Sequence, residues 1–139
     1  MDNRPIGILD SGVGGLTVAD EVRTIMPHEN IIYFGDTARV PYGGKSRETI
    51  QKYGREIMRF LVNKNVKAIV IACGTISSNA SDILKEEFDI PMVDVLQPGV
   101  QACAAAHPAN VGFIATEATV RSLAFSRLLK KINPEINSI

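Results

Sequence analysis

Short apolar runs alternate along the chain with segments whose apolar residues recur every three or four positions. Ile6-Gly7-Ile8-Leu9 predicts a buried strand, and the pattern from Leu16 to Met26 predicts a helix stopped by Pro27. Asn30 to Gly35 predicts a second strand. Ile50, Tyr53, Ile57, Phe60 and Leu61 fall at helical spacing and predict a helix over Ser46 to Asn63, with Ser46 as its N-cap. Val66 to Cys73 is the most apolar run, and its β-branched content fits a central strand covered on both faces. A helix over Ser77 to Phe88, a strand over Met92 to Leu96 and an alanine-rich helix over Gly99 to Ala106 follow. A fifth strand over Val111 to Ala115 and a helix over Glu117 to Ile132, closed by Asn133-Pro134, complete the pattern. Five strand–helix pairs in alternation predict an α/β fold. Right-handed crossovers make it a three-layer α/β/α sandwich around a mostly parallel, doubly wound sheet. In such sheets ligands bind just beyond the carboxyl ends of the strands, which is where chemistry is to be sought.

Composition narrows the class. A length of 139 residues suits one domain with a real core, and 45% hydrophobic against 22% charged residues excludes disorder. Fifteen basic and fifteen acidic side chains balance, so no electrostatic footprint for nucleic acid or an anionic membrane is present. No apolar run approaches the roughly 18 residues of a membrane span. Residues Met1 to Pro5 are polar and lack the apolar stretch of a signal peptide, which points to the cytoplasm. Cys73 and Cys103 are far apart in sequence, as expected of free thiols in a reducing compartment. Neither has neighbours at metal-ligand spacing, so no metal is expected.

The strand ends carry the candidate chemistry. The first runs into Asp10-Ser11-Gly12-Val13-Gly14-Gly15, whose glycines either leave backbone N–H groups free for an anion or serve a tight turn. A dinucleotide fingerprint, with Asp36 as its acidic partner, would need glycine where Thr17 stands. Gly44-Lys45-Ser46 would need glycine in place of Arg39 to form a triphosphate loop, so Lys45 and Arg39 read as solvated. The third strand ends at Cys73-Gly74-Thr75, just before a helix. There the thiol is either a small core hydrophobe or a thiolate favoured by the helix N-terminus, with Thr75 and Ser77 as donors beside it. Cys103, within a small-residue helix, reads as packing, and His28 and His107 fall in turns away from the strand ends. Thr116 is placed to cap the last helix or to hold a carboxylate. Asp10, Ser11, Tyr42, Gly43, Cys73, Gly74, Thr75 and Thr116 thus converge on one rim. An acid, a thiol, hydroxyls and amides without a nucleotide or metal signature suit proton transfer at a carbon next to a carboxylate.

These motifs resemble those of the glutamate racemase family, among the cofactor-independent aspartate and glutamate racemases. The resemblance lies in Ile8 to Thr17, Tyr33 to Gly43, Ile71-Ala72-Cys73 and Ala115 to Thr119, in this order along almost the whole chain. It implies interconversion of L- and D-glutamate for peptidoglycan by two thiols on opposite faces of the α-carbon, with no cofactor and no nucleic-acid or membrane partner. Cys73 matches the first thiol. Asp10 matches an acid that assists proton transfer and holds the ammonium. Ser11, Tyr42, Gly43 and Thr75 match substrate-binding positions, and Thr116 and Thr119 match hydroxyls near the carboxylate.

Two departures follow from the same resemblance. Gly74 stands where the family has asparagine, which removes a hydrogen bond worth about 1–3 kcal/mol, or roughly tenfold in affinity. The family chain is also nearly twice as long, built of two similar halves with the site between them. Its second cysteine, in a Cys-Thr-His segment, falls beyond residue 139, and Cys103 does not match it. The expectation is the N-terminal half of a racemase, a single domain over 1–139 that carries one wall of the site and has weak or no turnover alone. A non-catalytic carboxylate-binding domain and a homodimer in which each copy offers Cys73 are the alternatives.

Overall fold

A computed structural model of the chain describes residues 2–139. Its centre is a four-stranded parallel sheet of β1 (Ile6–Asp10), β2 (Ile31–Gly35), β3 (Ala68–Ile71) and β4 (Met92–Asp94), in the order β2-β1-β3-β4. All five residues of β1 are buried, as a strand covered on both faces must be. Alternate side chains serve the two layers. Ile6 and Ile8 pack with Val22 of α1 (Leu16–Ile25), while Leu9, Ile69 and Ile71 pack with Ile50, Ile57, Met58 and Leu61 of α2 (Arg47–Asn63). Helix α2 starts where Ser46 accepts the Thr49 N–H at 3.2 Å, so this boundary is as the sequence predicts. The α/β, three-layer, mostly parallel architecture is therefore the observed one.

Three predicted elements come out differently. The helix over Ser77 to Phe88 is two helices, α3 (Gly74–Asn79) and α4 (Ser81–Glu87), broken at Ala80 with φ −135°. Its asparagine explains the break. Asn79 Nδ2 bonds back to the Thr75 carbonyl at 3.0 Å, and the Asn79 carbonyl accepts Arg47 Nε and Gln51 Nε2 of α2, each at 3.2 Å. The helix over Glu117 to Ile132 is likewise α6 (Glu117–Ser122) and α7 (Ala124–Ile132), separated by Leu123 in the left-handed region at φ 54°. There Ser122 Oγ accepts the Ala124 N–H at 3.1 Å and starts the second helix.

The fifth strand is the larger correction. Residues Val111 to Ala115 do not extend the main sheet. Only β5 (Asn110–Val111) is a strand, paired in parallel with β6 (Asn137–Ser138), an element the apolar pattern does not signal. This small sheet closes a separate core in which Val100 and Ala104 of α5 (Leu96–Ala105) meet Leu129 and Ile136. Cys103 packs at the edge of this cluster.

Candidate active site

In the order β2-β1-β3-β4 the chain leaves β1 for one neighbour and returns to the other side of β1 for β3. Connections leave in opposite directions there, and the loops diverge to open a crevice beyond the strand ends. Leu9 pairs with Ile71, which sets Asp10 of β1 and Ala72-Cys73 after β3 side by side at that switch point. The crevice is a cleft of about 410 Å³ lined by Asp10 to Gly15, Ala72 to Thr75, Ala115, Thr116 and Thr119.

Cys73 is buried, and its thiol donates to Ser11 Oγ at 3.3 Å. Helix α3 behind it runs for only six residues, so the direct partner of the sulfur is Ser11. Ser77 does not serve the thiol: its hydroxyl turns back to the Ile71 carbonyl at 3.3 Å.

The glycine loop corrects the reading of free amides awaiting a bound anion. The Gly12 and Gly15 N–H groups donate to Asp10 Oδ2, at 3.2 and 2.9 Å, so the anion in this nest is the chain's own carboxylate. A Cβ on Gly15 would lie 2.8 Å from the Asp10 Cβ and 2.9 Å from the Ala72 Cβ, so only glycine allows this approach. Tyr33, which periodicity marks only as a strand residue, adds a third group. Its hydroxyl lies 2.9 Å from the Gly12 carbonyl and 3.3 Å from Asp10 Oδ2. Burial, and then the nearby Asp10 charge, push the phenol up to about 12, so it stays protonated. Asp10 Oδ1 has no partner among the described residues and is not sealed from solvent, which makes it the oxygen open to the cleft.

The opposite wall is built of hydroxyls. Thr75 and Thr116 Oγ1 are 2.9 Å apart, Thr116 and Thr119 Oγ1 are 2.9 Å apart, and Ser78 Oγ reaches Thr119 Oγ1 at 3.2 Å. Thr116 occupies the N-cap position of α6 but its side chain caps nothing, being spent on this cluster. Gly74 lines the cleft with open space where a Cβ would be.

Tyr42 and Gly43 are the site candidates that do not line the cleft. The Tyr42 ring is buried and its hydroxyl is bonded to Asp36, which together with burial pushes the phenol far above its ordinary range. Arg39, read as solvated, pairs with Asp36 and Glu56 and lies 4.1 Å over the Tyr53 ring. Gly43 sits where a Cβ would be 2.6 Å from the Thr116 Cβ, and its carbonyl accepts the Ala118 N–H at 2.9 Å. The loop after β2 therefore buttresses the hydroxyl wall from behind.

The family model for Asp/Glu/Hydantoin racemase matches residues 17–137. The chain belongs to the Asp/Glu/Hydantoin racemase family. It is 49% identical to the glutamate racemase of Geobacter metallireducens over 140 residues, covering 100% of this chain and 52% of that protein. The glutamate racemase of Lactococcus lactis subsp. cremoris is 52% identical over 123 residues, 88% of this chain and 45% of that protein. Among solved structures, the Francisella tularensis glutamate racemase in complex with D-glutamate superposes with a TM-score of 0.91 at 49% identity, over 99% of this chain and 53% of that one. The RacE1 isoform of Bacillus anthracis superposes with a TM-score of 0.93 at 36% identity. The chain thus spans about half the length of the curated relatives it matches. Among the described residues, no helix is long and apolar enough to cross a membrane.

Proposed function

We propose that the chain supplies one wall of a glutamate racemase site, which interconverts L- and D-glutamate for peptidoglycan by thiol-based transfer of the α-proton. The observation that carries this reading is the juxtaposition of Cys73 and Asp10 at the switch point, in a cleft whose other polar side chains are the hydroxyls of Ser11, Thr75, Thr116 and Thr119. In this scheme the Cys73 thiolate takes the α-proton, and the electron pair left on the α-carbon spreads into the adjacent carboxylate. Ser11, which accepts the resting thiol's proton, turns its own hydroxyl toward the sulfur when the thiolate forms. Asp10 meets the substrate ammonium with the open Oδ1. Gly74, Thr75, Thr116 and Thr119 face the α-carboxylate. Tyr42 and Gly43 contribute by holding the loop behind Thr116 rather than through the phenol. No cofactor enters the scheme, and the two free cysteines suit a reducing, cytoplasmic setting.

Inversion needs a proton delivered to the opposite face of the α-carbon. Cys103, the other thiol of the chain, packs in the α5–α7 core and does not line the cleft. The chain alone is therefore expected to exchange the α-proton with solvent and to invert weakly or not at all. A homodimer that brings two Cys73 thiols together is the second reading. Val13 of the cleft favours it, together with Leu16 and Ile114, which follow Gly15 and precede Ala115 of the lining, because all three are exposed apolar side chains.

Proton NMR of L- and D-glutamate in D₂O, with Cys73→Ala as control, tests the scheme. Loss of the α-proton signal from one enantiomer, abolished in the variant, supports a one-base half-site. Loss from both enantiomers, in a protein that sediments as a dimer, supports the shared site. Binding without exchange from either enantiomer overturns the catalytic role and leaves a carboxylate-binding domain.

A further inference from the structure

The hydroxyl wall has a direction. We propose that Asn79 and Ser78 are positioning residues that orient the Ser78–Thr119–Thr116–Thr75 chain so that Thr75 presents its proton to the cleft. This makes the wall a hydrogen-bond donor matched to a carboxylate. Only the identity of that carboxylate as glutamate's rests on the racemase reading; the orientation does not.

The argument begins at the buried end. Asn79 is 5% exposed, and the atom assigned as Nδ2 lies 3.0 Å from the Thr75 carbonyl and 3.2 Å from the Ala118 carbonyl. Carbonyl oxygens only accept, so the amide nitrogen, not the oxygen, must occupy this position. The same nitrogen lies 3.0 Å from Ser78 Oγ, which therefore accepts there and must send its own proton elsewhere. Two acceptors lie at 3.2 Å, the Thr75 carbonyl and Thr119 Oγ1. The carbonyl already receives the Asn79 amide and, as a helical carbonyl of α3, the backbone N–H four residues on. The Ser78 proton is left for Thr119.

One proton per hydroxyl fixes the rest. Thr119 donates to Thr116 and Thr116 donates to Thr75, across two 2.9 Å contacts. Thr75 then has no acceptor left among the described residues, and it lines the cleft. Asn79 is itself held, because its backbone carbonyl accepts Arg47 Nε and Gln51 Nε2 of α2, each at 3.2 Å. The device supplies a donor beside Gly74, where no side chain can offer one.

Neutron diffraction from exchanged crystals of the 139-residue chain reads the orientation directly. The expected map has the Ser78 deuterium on the line to Thr119 and the Thr75 deuterium directed into the cleft. A Ser78 deuterium on the Thr75 carbonyl, or a Thr75 deuterium on the line to Thr116, overturns the proposal. A second arm uses D-glutamate as the probe in NMR titrations. Asn79→Asp, equal in size but accepting only, should reverse the chain and weaken binding about tenfold, while Ser78→Ala should weaken it about threefold. Affinities equal to wild type in both variants, with melting curves showing folded proteins, also overturn it. Failure of the wild type to bind glutamate would count against the racemase reading, and the neutron map would still decide the orientation.

Discussion

Two buried aspartates end two strands of the same sheet, and their surroundings differ in two respects. Asp94, at the end of β4, has both oxygens occupied: Oδ2 by Ser81 Oγ at 2.7 Å and Lys85 Nζ at 2.6 Å, Oδ1 by the Leu96 and Gln97 N–H groups at 3.1 and 3.2 Å. Asp10, at the end of β1, has one oxygen in a nest of amides, the other open to the cleft, and no ion-pair partner among the described residues. A carboxylate with every lone pair engaged and its charge paired joins α4 to α5 and has nothing left to offer a ligand. A carboxylate held rigidly by one oxygen and unpaired at the other is preorganised for a cationic group that is not part of the chain. The same residue at the same kind of position is structural in one case and fitted to binding in the other.

The comparison is broken most forcefully at Asp94. Asp94→Ala strands the Ser81 hydroxyl and two N–H groups and should cost about 3 kcal/mol in urea unfolding, whereas Asp10→Asn should cost under about 0.5 kcal/mol. Asparagine keeps an oxygen for the Gly12 and Gly15 amides and turns its nitrogen to the open side, so Asp10→Asn should instead lose the binding of amino-acid ammonium groups. The pH dependence separates the two further. Burial alone would raise the Asp94 carboxyl, but the hydrogen bonds from Lys85 and Ser81 outweigh it and hold the group below its ordinary range. A depressed folded value stabilises the native state above the unfolded value of about 3.9 and loses that contribution as pH falls through the folded value. The stability gap between wild type and Asp94→Ala should therefore be full at neutral pH and narrow in acid, as read by urea midpoints across the pH range.

Gly15→Ala strikes at the cage rather than the charge. Its Cβ meets Asp10 and Ala72 below 3 Å, and the forced displacement should cost about 2 kcal/mol in thermal unfolding. Gly74→Asn sharpens the comparison from the ligand's side. Open space surrounds that position, so the added amide should tighten glutamate binding by up to about tenfold in calorimetry without loss of stability. A small gain in stability is expected at Leu123, an exposed residue held in the left-handed region. Leu123→Gly should raise the unfolding free energy by about 0.5–1 kcal/mol.

The strands that form the sheet were legible because each is a short apolar run bounded by turn residues, and their alternation with helices admits few topologies. The helix at Ser46 was legible because its cap is a local interaction between residues three apart. The breaks at Ala80 and Leu123 were not, because polar contacts of Asn79 and Ser122 interrupt a helical periodicity that is otherwise present. Nor was the fate of Val111 to Ala115, whose apolar content is the same whether it joins the main sheet or a second core. The site was legible as residue types at strand ends, and Asp10, Ser11, Cys73, Gly74, Thr75, Thr116 and Thr119 do line one cleft. Tyr33 and Asn79 gave no signal, since both act through contacts with residues distant in sequence.

By itself, then, the order of residues determined the class of fold and which strand ends carry an acid, a thiol and hydroxyls. Those follow from local periodicity and from the rule that parallel strands end on one edge. Tertiary structure alone decided which aspartate is saturated and which is open, that the glycine amides serve Asp10, and that the Tyr42 phenol is turned away toward Asp36. The physical reason is that a side chain's chemistry is set by which of its lone pairs and protons are already taken. The groups that take them come from elements brought together only when the chain folds.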